Sequence, residues 1–122
     1  MIIPTLRYRD AKTAIEFLER AFGFERQTVH EDGGVIGHAE LRHGDGVVML
    51  GTAGHGDARF DTGRNVIYVV VEDPDAVYDQ ATAAGAEIVM ELTDQDYGSR
   101  DFAAEDPEGN VWSFGTYNPF AA

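Results

Sequence analysis

The chain has 122 residues, a formal net charge of -13 and no cysteine. Its apolar fraction of 43% is enough for a hydrophobic core, so a mainly disordered chain is not expected. The acidic balance repels phosphates and anionic lipid headgroups, which argues against nucleic acid and membrane surfaces as partners. The absence of cysteine excludes disulfides and thiolate metal sites. Because no signal sequence or membrane-spanning stretch is recognisable, we expect a cytoplasmic protein.

The first half of the chain predicts a strand, a helix and three further strands. Residues 2–8 alternate as a strand does, and Asp10 is placed to cap the helix that follows. Apolar residues then recur at helical spacing as far as Phe22, and Gly23 is typical of a helix C-terminus. Strands are predicted over 24–30, 35–42 and 47–50, with Asp-Gly turns between them.

The second half repeats this order after a glycine-rich connector over residues 52–63. A strand is predicted over 66–71, and Asp73 and Pro74 begin a helix that ends before Gly85. Strands over 87–92, 97–104 and 110–115 complete the repeat. We therefore expect one α+β domain over residues 1–122, built from two βαβββ modules at about 1–51 and 64–117 that form a sheet-lined cleft, within one chain or between two.

Three segments carry a resemblance to a known family. They are residues 3–10 leading into 14–18, the helix end at 21–24, and the turn and strand at 106–112. Together they resemble the vicinal oxygen chelate superfamily, also called the glyoxalase/bleomycin resistance/dioxygenase superfamily. The likeness spans nearly the whole chain and is nearest to uncharacterised glyoxalase-like proteins and drug-binding resistance proteins. It implies a homodimer whose clefts form across paired modules.

The resemblance also implies where a metal would bind. Catalytic members hold one divalent ion with His, Gln or Glu from the first and fourth strands of both modules. In this sequence those positions fall on Ile3, Met49, Ile67 and Ser113, and a shift of one residue gives Pro4, Leu50, Tyr68 and Phe114. Divalent cations of this kind need oxygen or imidazole donors. We therefore expect no metal and no cofactor.

Polar residues at three places in the sequence remain open to more than one interpretation. His38 and Glu40 share a strand face, and we favour an ordinary surface pair over a polar contact that faces the cleft. As relocated metal ligands they would still need a third ligand. Arg7 matches an arginine that grips a substrate carboxylate in glutathione-using relatives, but a salt bridge to an acidic side chain explains it equally well. Arg100 either faces the cleft beside Phe102 or keeps an edge strand soluble.

The resulting hypothesis is a metal-free binding protein that sequesters or carries a small organic molecule. Its alternative is a metal-dependent lyase, isomerase or dioxygenase of the same superfamily with relocated ligands. Trp112 and Phe114 lie on the opposite strand face from Ser113 and are expected in the core. If the family register holds, the cleft wall is largely apolar with an arginine that orients an acidic group. The expected ligand-binding residues are Ile3, Thr5, Arg7, His38, Met49, Ile67, Val69, Arg100 and Ser113.

Overall fold

The computed structural model describes residues 1–121, in which two helices and eight strands follow one another as βαβββ twice over. The first module contains β1 (Thr5–Tyr8), α1 (Ala11–Phe22), β2 (Glu25–Asp32), β3 (Val35–His43) and β4 (Gly46–Thr52). A 3-10 turn at Ala58–Phe60 lies in the connector. The second module contains β5 (Val66–Val70), α2 (Pro74–Ala83), β6 (Glu87–Asp94), β7 (Arg100–Glu105) and β8 (Val111–Gly115).

Each module forms its own four-stranded mixed sheet. The strand orders are β1-β4-β3-β2 and β5-β8-β7-β6. In both sheets the first strand runs parallel to the fourth, and the remaining pairs are antiparallel. The predicted α+β fold of two βαβββ modules is thus confirmed. The strands β1 and β5 are left at sheet edges.

The helix ends follow the local signals in the sequence. The Asp10 side chain accepts a hydrogen bond from the Thr13 backbone nitrogen at 3.1 Å and so caps α1. Gly23 ends that helix with a φ of 77°, a left-handed conformation that glycine adopts without strain. Asp73 caps α2 through the Ala76 nitrogen, also at 3.1 Å. No helix among residues 1–121 is long and apolar enough to cross a membrane.

The two modules share one core. Helices α1 and α2 pack against each other. The Phe22 ring of α1 lies 6.0 Å from Trp112 and 4.9 Å from Phe114, both on β8 of the other module. Trp112 and Phe114 are fully buried, as predicted. The helix-side faces of both sheets therefore form the interior, and the opposite faces point away from it.

A turn in the second module is hydrogen-bonded to the first module. The Tyr8 hydroxyl donates to Asp106 Oδ2 at 2.6 Å, and Trp112 Nε1 donates to the same oxygen at 3.0 Å. Burial and the adjacent Asp106 carboxylate raise the pKa of Tyr8, so its phenol remains a neutral donor. The Glu108 carboxylate accepts from the Arg9 backbone nitrogen at 2.7 Å and the Asp10 nitrogen at 2.9 Å. This turn holds the two modules together.

Several predicted strand ends differ from the structure by two or three residues. The first strand begins at Thr5 rather than residue 2, since Pro4 has no N–H to pair and the two residues at the chain start are exposed. β4 continues to Thr52, which extends it into the predicted connector. β7 begins at Arg100 rather than residue 97, because the Gly98 nitrogen donates to the Gln95 carbonyl and closes a turn there.

Candidate functional site

The face of the first sheet that points away from the helices carries a mixed set of side chains. Cross-strand partners share a face, and Met49 is paired with both Thr5 and Glu40. Arg7 is paired with Gly51, two residues further along the same face. The structure therefore brings Thr5, Arg7 and Met49 together on one surface, as predicted. We call this surface the first open face.

A polar cluster lies on β2 and β3 of the first open face. His38 Nε2 and Glu40 Oε2 are 3.0 Å apart, and Gln27 Nε2 donates to Glu40 Oε1 at 3.0 Å. The hydrogen bond with His38, followed by that with Gln27, lowers the pKa of Glu40. His30 lies opposite His38, with ring centroids 6.2 Å apart. Within residues 1–121, no three His, Asp or Glu side chains converge as metal ligands would.

Arg7 makes one long ion pair and one aromatic contact, both with the connector. Its Nη1 lies 3.5 Å from Asp61 Oδ1, and its guanidinium carbon is 5.7 Å from the centre of the Phe60 ring. The side chain is 22% exposed. A guanidinium has five N–H donors, and one contact at 3.5 Å leaves most of them available. The salt bridge that the sequence analysis considered for Arg7 is present, but it does not occupy most of the N–H donors of the guanidinium group.

The corresponding face of the second sheet, the second open face, is more apolar. Tyr68 of β5 is paired with Ser113 of β8, so Ser113 lies on this face as predicted. Val66 and Val70 share the face with Tyr68 because strand residues alternate. Their exposed fractions are large for apolar side chains: 77% for Val66, 41% for Tyr68 and 43% for Val70.

A glycine leaves room for the Tyr68 ring on the second open face. A Cβ added to Gly115 would lie 2.7 Å from the Tyr68 hydroxyl oxygen, so only glycine leaves room for the ring. The hydroxyl donates to the Tyr117 carbonyl at 2.8 Å, and partial burial raises the pKa of Tyr68. The sequence analysis did not place Tyr68 among the expected ligand-binding residues. The feature of the sequence that could have indicated Tyr68 is its phenol, which stands alone among the aliphatic residues of this strand.

The prediction that Ile67 and Val69 share a face with Ser113 is wrong. These residues are paired with Trp112 and Phe114, which places them on the helix side of the sheet. The sequence could not settle this point because residues 66–71 are apolar without interruption except for Tyr68. Ile67 and Val69 instead border an apolar groove of about 330 Å³ at the β5 edge, together with Pro4, Phe24, His43, Val47 and Trp112. Burial in this groove lowers the pKa of His43.

The prediction that Arg100 faces the cleft is also wrong. Its Nε lies 2.7 Å from Asp75 Oδ1 at the start of α2, and its Nη1 lies 3.1 Å from Asp94 Oδ1. The next residue, Asp101, is paired with Gly115 on the second open face, so Arg100 and Phe102 point to the helix side. Arg100 links α2 to the second sheet through its ion pairs with Asp75 of α2 and Asp94 of β6.

The positions that hold a metal in catalytic relatives do not fit a metal here. Ile3 precedes β1, and the carbonyl of Pro4 accepts from the Met49 nitrogen at 3.0 Å. Met49 offers a thioether and Ser113 offers a hydroxyl. The ligand position expected on β5 was Ile67, but the residues of β5 on the second open face are Val66 and Tyr68. The raised pKa of Tyr68 opposes the phenolate that a metal would need. None of these residues is an imidazole or carboxylate ligand.

Comparison with known proteins gives the family. Residues 3–114 match the model of the Glyoxalase/Bleomycin resistance protein/Dioxygenase superfamily. The chain belongs to this superfamily. An uncharacterised protein of Mycobacterium bovis is 35% identical over 121 residues, which cover 92% of this chain and 80% of that protein. An uncharacterised protein of Mycobacterium tuberculosis is also 35% identical, with 71% of its length covered.

Solved structures agree with membership of the glyoxalase/bleomycin resistance protein superfamily. The structure of TioX from Micromonospora sp. ML1 superimposes with a TM-score of 0.82 at 31% identity, covering 96% of this chain and 98% of TioX. A mutant glyoxalase I from Zea mays has a TM-score of 0.77 at 18% identity, covering 96% of this chain and 45% of the enzyme. The latter likeness extends to the fold alone.

Proposed function

We propose that this superfamily member is a small-molecule binding protein that holds an organic ligand on its open sheet faces without a bound metal. The observation that carries the proposal is the row of Val66, Tyr68 and Val70, which a single chain leaves exposed to solvent. Contiguous apolar side chains on a surface mark binding sites, because leaving them in water is unfavourable. The lack of suitable metal ligands at the family positions supports binding rather than metal-dependent catalysis.

The ligand class follows from the side chains of the first open face. Met49 is a flexible and polarisable contact that adapts to differently shaped molecules. Arg7 is a cation of this face whose side chain is only 22% exposed, and its fork matches the geometry of a carboxylate or a similar acid. An apolar molecule with one acidic group suits this combination, because apolar contact supplies affinity and the arginine sets orientation.

A second copy of the chain is proposed to complete the cleft. The two open faces belong to separate sheets, and the shared core lies on their other sides. In a two-fold homodimer the first open face of each copy can lie opposite the second open face of the other copy, which gives two equivalent clefts. Such an arrangement would also protect β1 and β5, which are edge strands in one chain.

The fluorescent dye anilinonaphthalene sulfonate, which is apolar and carries one acid, tests this proposal. Tyr68→Ser is expected to weaken dye binding by at least about tenfold, because it removes a large aromatic contact from the second open face. The control is Val89→Ser on β6, where the native side chain is 47% exposed at the other edge of the same sheet. Light scattering of each variant separates loss of the dimer from loss of dye contacts.

The dye experiment has a clear opposing outcome. If folded Tyr68→Ser binds the dye as tightly as the native protein, the second open face is not the binding surface. Equal losses in Tyr68→Ser and Val89→Ser would show that the dye reports general surface hydrophobicity. Circular dichroism of both variants establishes that the fold is retained.

A further inference from the structure

Three arginines gather around one cavity of this strongly acidic protein. The cavity has a volume of about 370 Å³ and lies between the end of β1, the connector and the turn before β8. Its lining includes Arg7, Arg9 and Arg64. The whole chain has only 9 Lys and Arg residues against 22 Asp and Glu residues, so three arginines around one cavity are an unusual local concentration of positive charge.

These three arginines are also poorly paired. Arg26 and Arg100 lie 2.7 Å from their carboxylate partners. Arg7 and Arg9 lie 3.5 Å from theirs, and the Arg9 contact uses Nε, which leaves both terminal nitrogens free of ion pairs. Arg64 makes no ion pair with any residue in the range 1–121. The guanidinium groups around this cavity therefore retain most of their capacity to bind an anion.

The two acidic residues of the cavity are already engaged by backbone donors. Both oxygens of Glu108 accept from the backbone nitrogens of Arg9 and Asp10, just before α1, at 2.7 Å and 2.9 Å. Asp61 Oδ2 accepts from the Gly54 nitrogen at 3.0 Å. These carboxylates are structural groups, and they neutralise two of the three positive charges at most. The cavity keeps a net positive charge.

The aliphatic stem of Arg64 lies against the turn before β8. A Cβ added at Gly109 would lie 3.3 Å from Arg64 Nε and 3.6 Å from its Cγ. The glycine therefore allows the Arg64 stem to lie along the turn that follows Asp106. A stem supported in this way loses less conformational entropy when its head binds a ligand.

We propose that this cavity binds a small oxyanion, a phosphate or carboxylate group of a small metabolite. An arginine fork can donate two parallel hydrogen bonds to two oxygens of either group, and the volume falls within the range of small-ligand sites. The proposal goes beyond the function proposed above, since the cavity lies within one chain. The cavity shares Arg7 with the ligand site proposed on the first open face, whereas Arg9 and Arg64 are not part of that site.

Isothermal titration calorimetry with inorganic pyrophosphate and with succinate tests the proposal, at constant ionic strength. We expect saturable binding of one or both probes. In Arg9→Gln and Arg64→Gln the affinity should fall by about tenfold each, the usual effect of losing a charge-assisted hydrogen bond. Arg7 is left unchanged because it belongs to both proposed sites, and dye binding is measured in the same variants to show whether the open faces are affected. The control is Arg20→Gln, an exposed arginine on α1 outside this cavity.

The possible outcomes distinguish phosphorylated ligands from carboxylate ligands, and two of them overturn the proposal. Tighter binding of pyrophosphate assigns the cavity to phosphorylated compounds, and tighter binding of succinate assigns it to carboxylates. Heats that do not saturate for either probe overturn the proposal. It is also overturned if Arg20→Gln weakens binding as much as Arg64→Gln, because the effect would then be general charge.

Discussion

Replacing Tyr8 with phenylalanine removes a buried hydrogen bond that joins the two modules. The Tyr8 side chain is fully buried, and its hydroxyl donates to Asp106 Oδ2 at 2.6 Å. Asp106 itself is only 5% exposed, so water cannot replace the lost donor easily. A hydrogen bond to a charged acceptor contributes about 1.5 to 3 kcal/mol. Phenylalanine keeps the ring in place and leaves no large cavity.

The remaining donors around Asp106 place the expected cost in the lower part of that range. Trp112 Nε1 still donates to Oδ2 at 3.0 Å, and the Asn110 backbone nitrogen still donates to Oδ1 at 3.1 Å. The carboxylate is therefore not left unsatisfied. We expect Tyr8→Phe to lower the free energy of unfolding by about 1.5 to 2 kcal/mol.

Urea denaturation followed by the fluorescence of Trp112, the single tryptophan, measures this change. Protein concentration is held constant, because association would contribute to the apparent stability. The matched control is Tyr78→Phe, whose hydroxyl donates to Glu91 on the exposed surface. That variant should lose less than about 0.5 kcal/mol. A loss below about 0.5 kcal/mol in Tyr8→Phe, or equal losses in the two variants, would refute the reasoning.

Four further predictions concern pH, ligand, metal and assembly. Above about pH 10 the native protein should lose about 1.4 kcal/mol of stability per pH unit relative to Tyr8→Phe. The reason is that the unfolded chain releases the Tyr8 proton, whereas the folded chain, in which the pKa of Tyr8 is raised, retains it. If the stabilities of the two proteins, measured by urea denaturation, changed in parallel with pH, this prediction would be contradicted. Arg7→Ala should weaken binding of anilinonaphthalene sulfonate by about tenfold to a hundredfold, whereas unchanged affinity in calorimetry would make Arg7 purely structural. Elemental analysis of protein purified without chelators should find substoichiometric zinc, nickel, iron and manganese; a full equivalent would favour the alternative enzyme, with His38 and Glu40 as relocated ligands. Light scattering should give the mass of a dimer for the native chain and a monomer for Val66→Asp, and a native monomer mass at all concentrations would count against the shared cleft.

The features that the sequence determined by itself depend on short-range physics. Asp10 and Asp73 each cap a helix by bonding a backbone nitrogen three residues ahead, and Gly23 ends a helix through its own backbone freedom. Such signals act within a few residues, so they can be recognised without knowing the fold. Their repetition in two halves was enough to predict two βαβββ modules, and most element boundaries agree within a few residues.

The face of β5 is a feature that only the tertiary structure decided. Nearly every residue from 66 to 71 is apolar, so either face of the strand could have been buried. Pairing with β8 settled the question, because Ile67 had to lie beside Trp112 and Tyr68 beside Ser113. A strand that alternates would have revealed its face in the sequence.

Charged side chains were also placed by the tertiary structure. Arg100 found Asp75 across 25 positions of sequence, and the Tyr8 hydroxyl found Asp106 across 98. Arg64 joins Arg7 and Arg9 only because the connector brings the start of the second module back beside β1. Electrostatic and hydrogen-bonding partners are determined by their distance in space, and the number of residues between them in the sequence does not predict that distance.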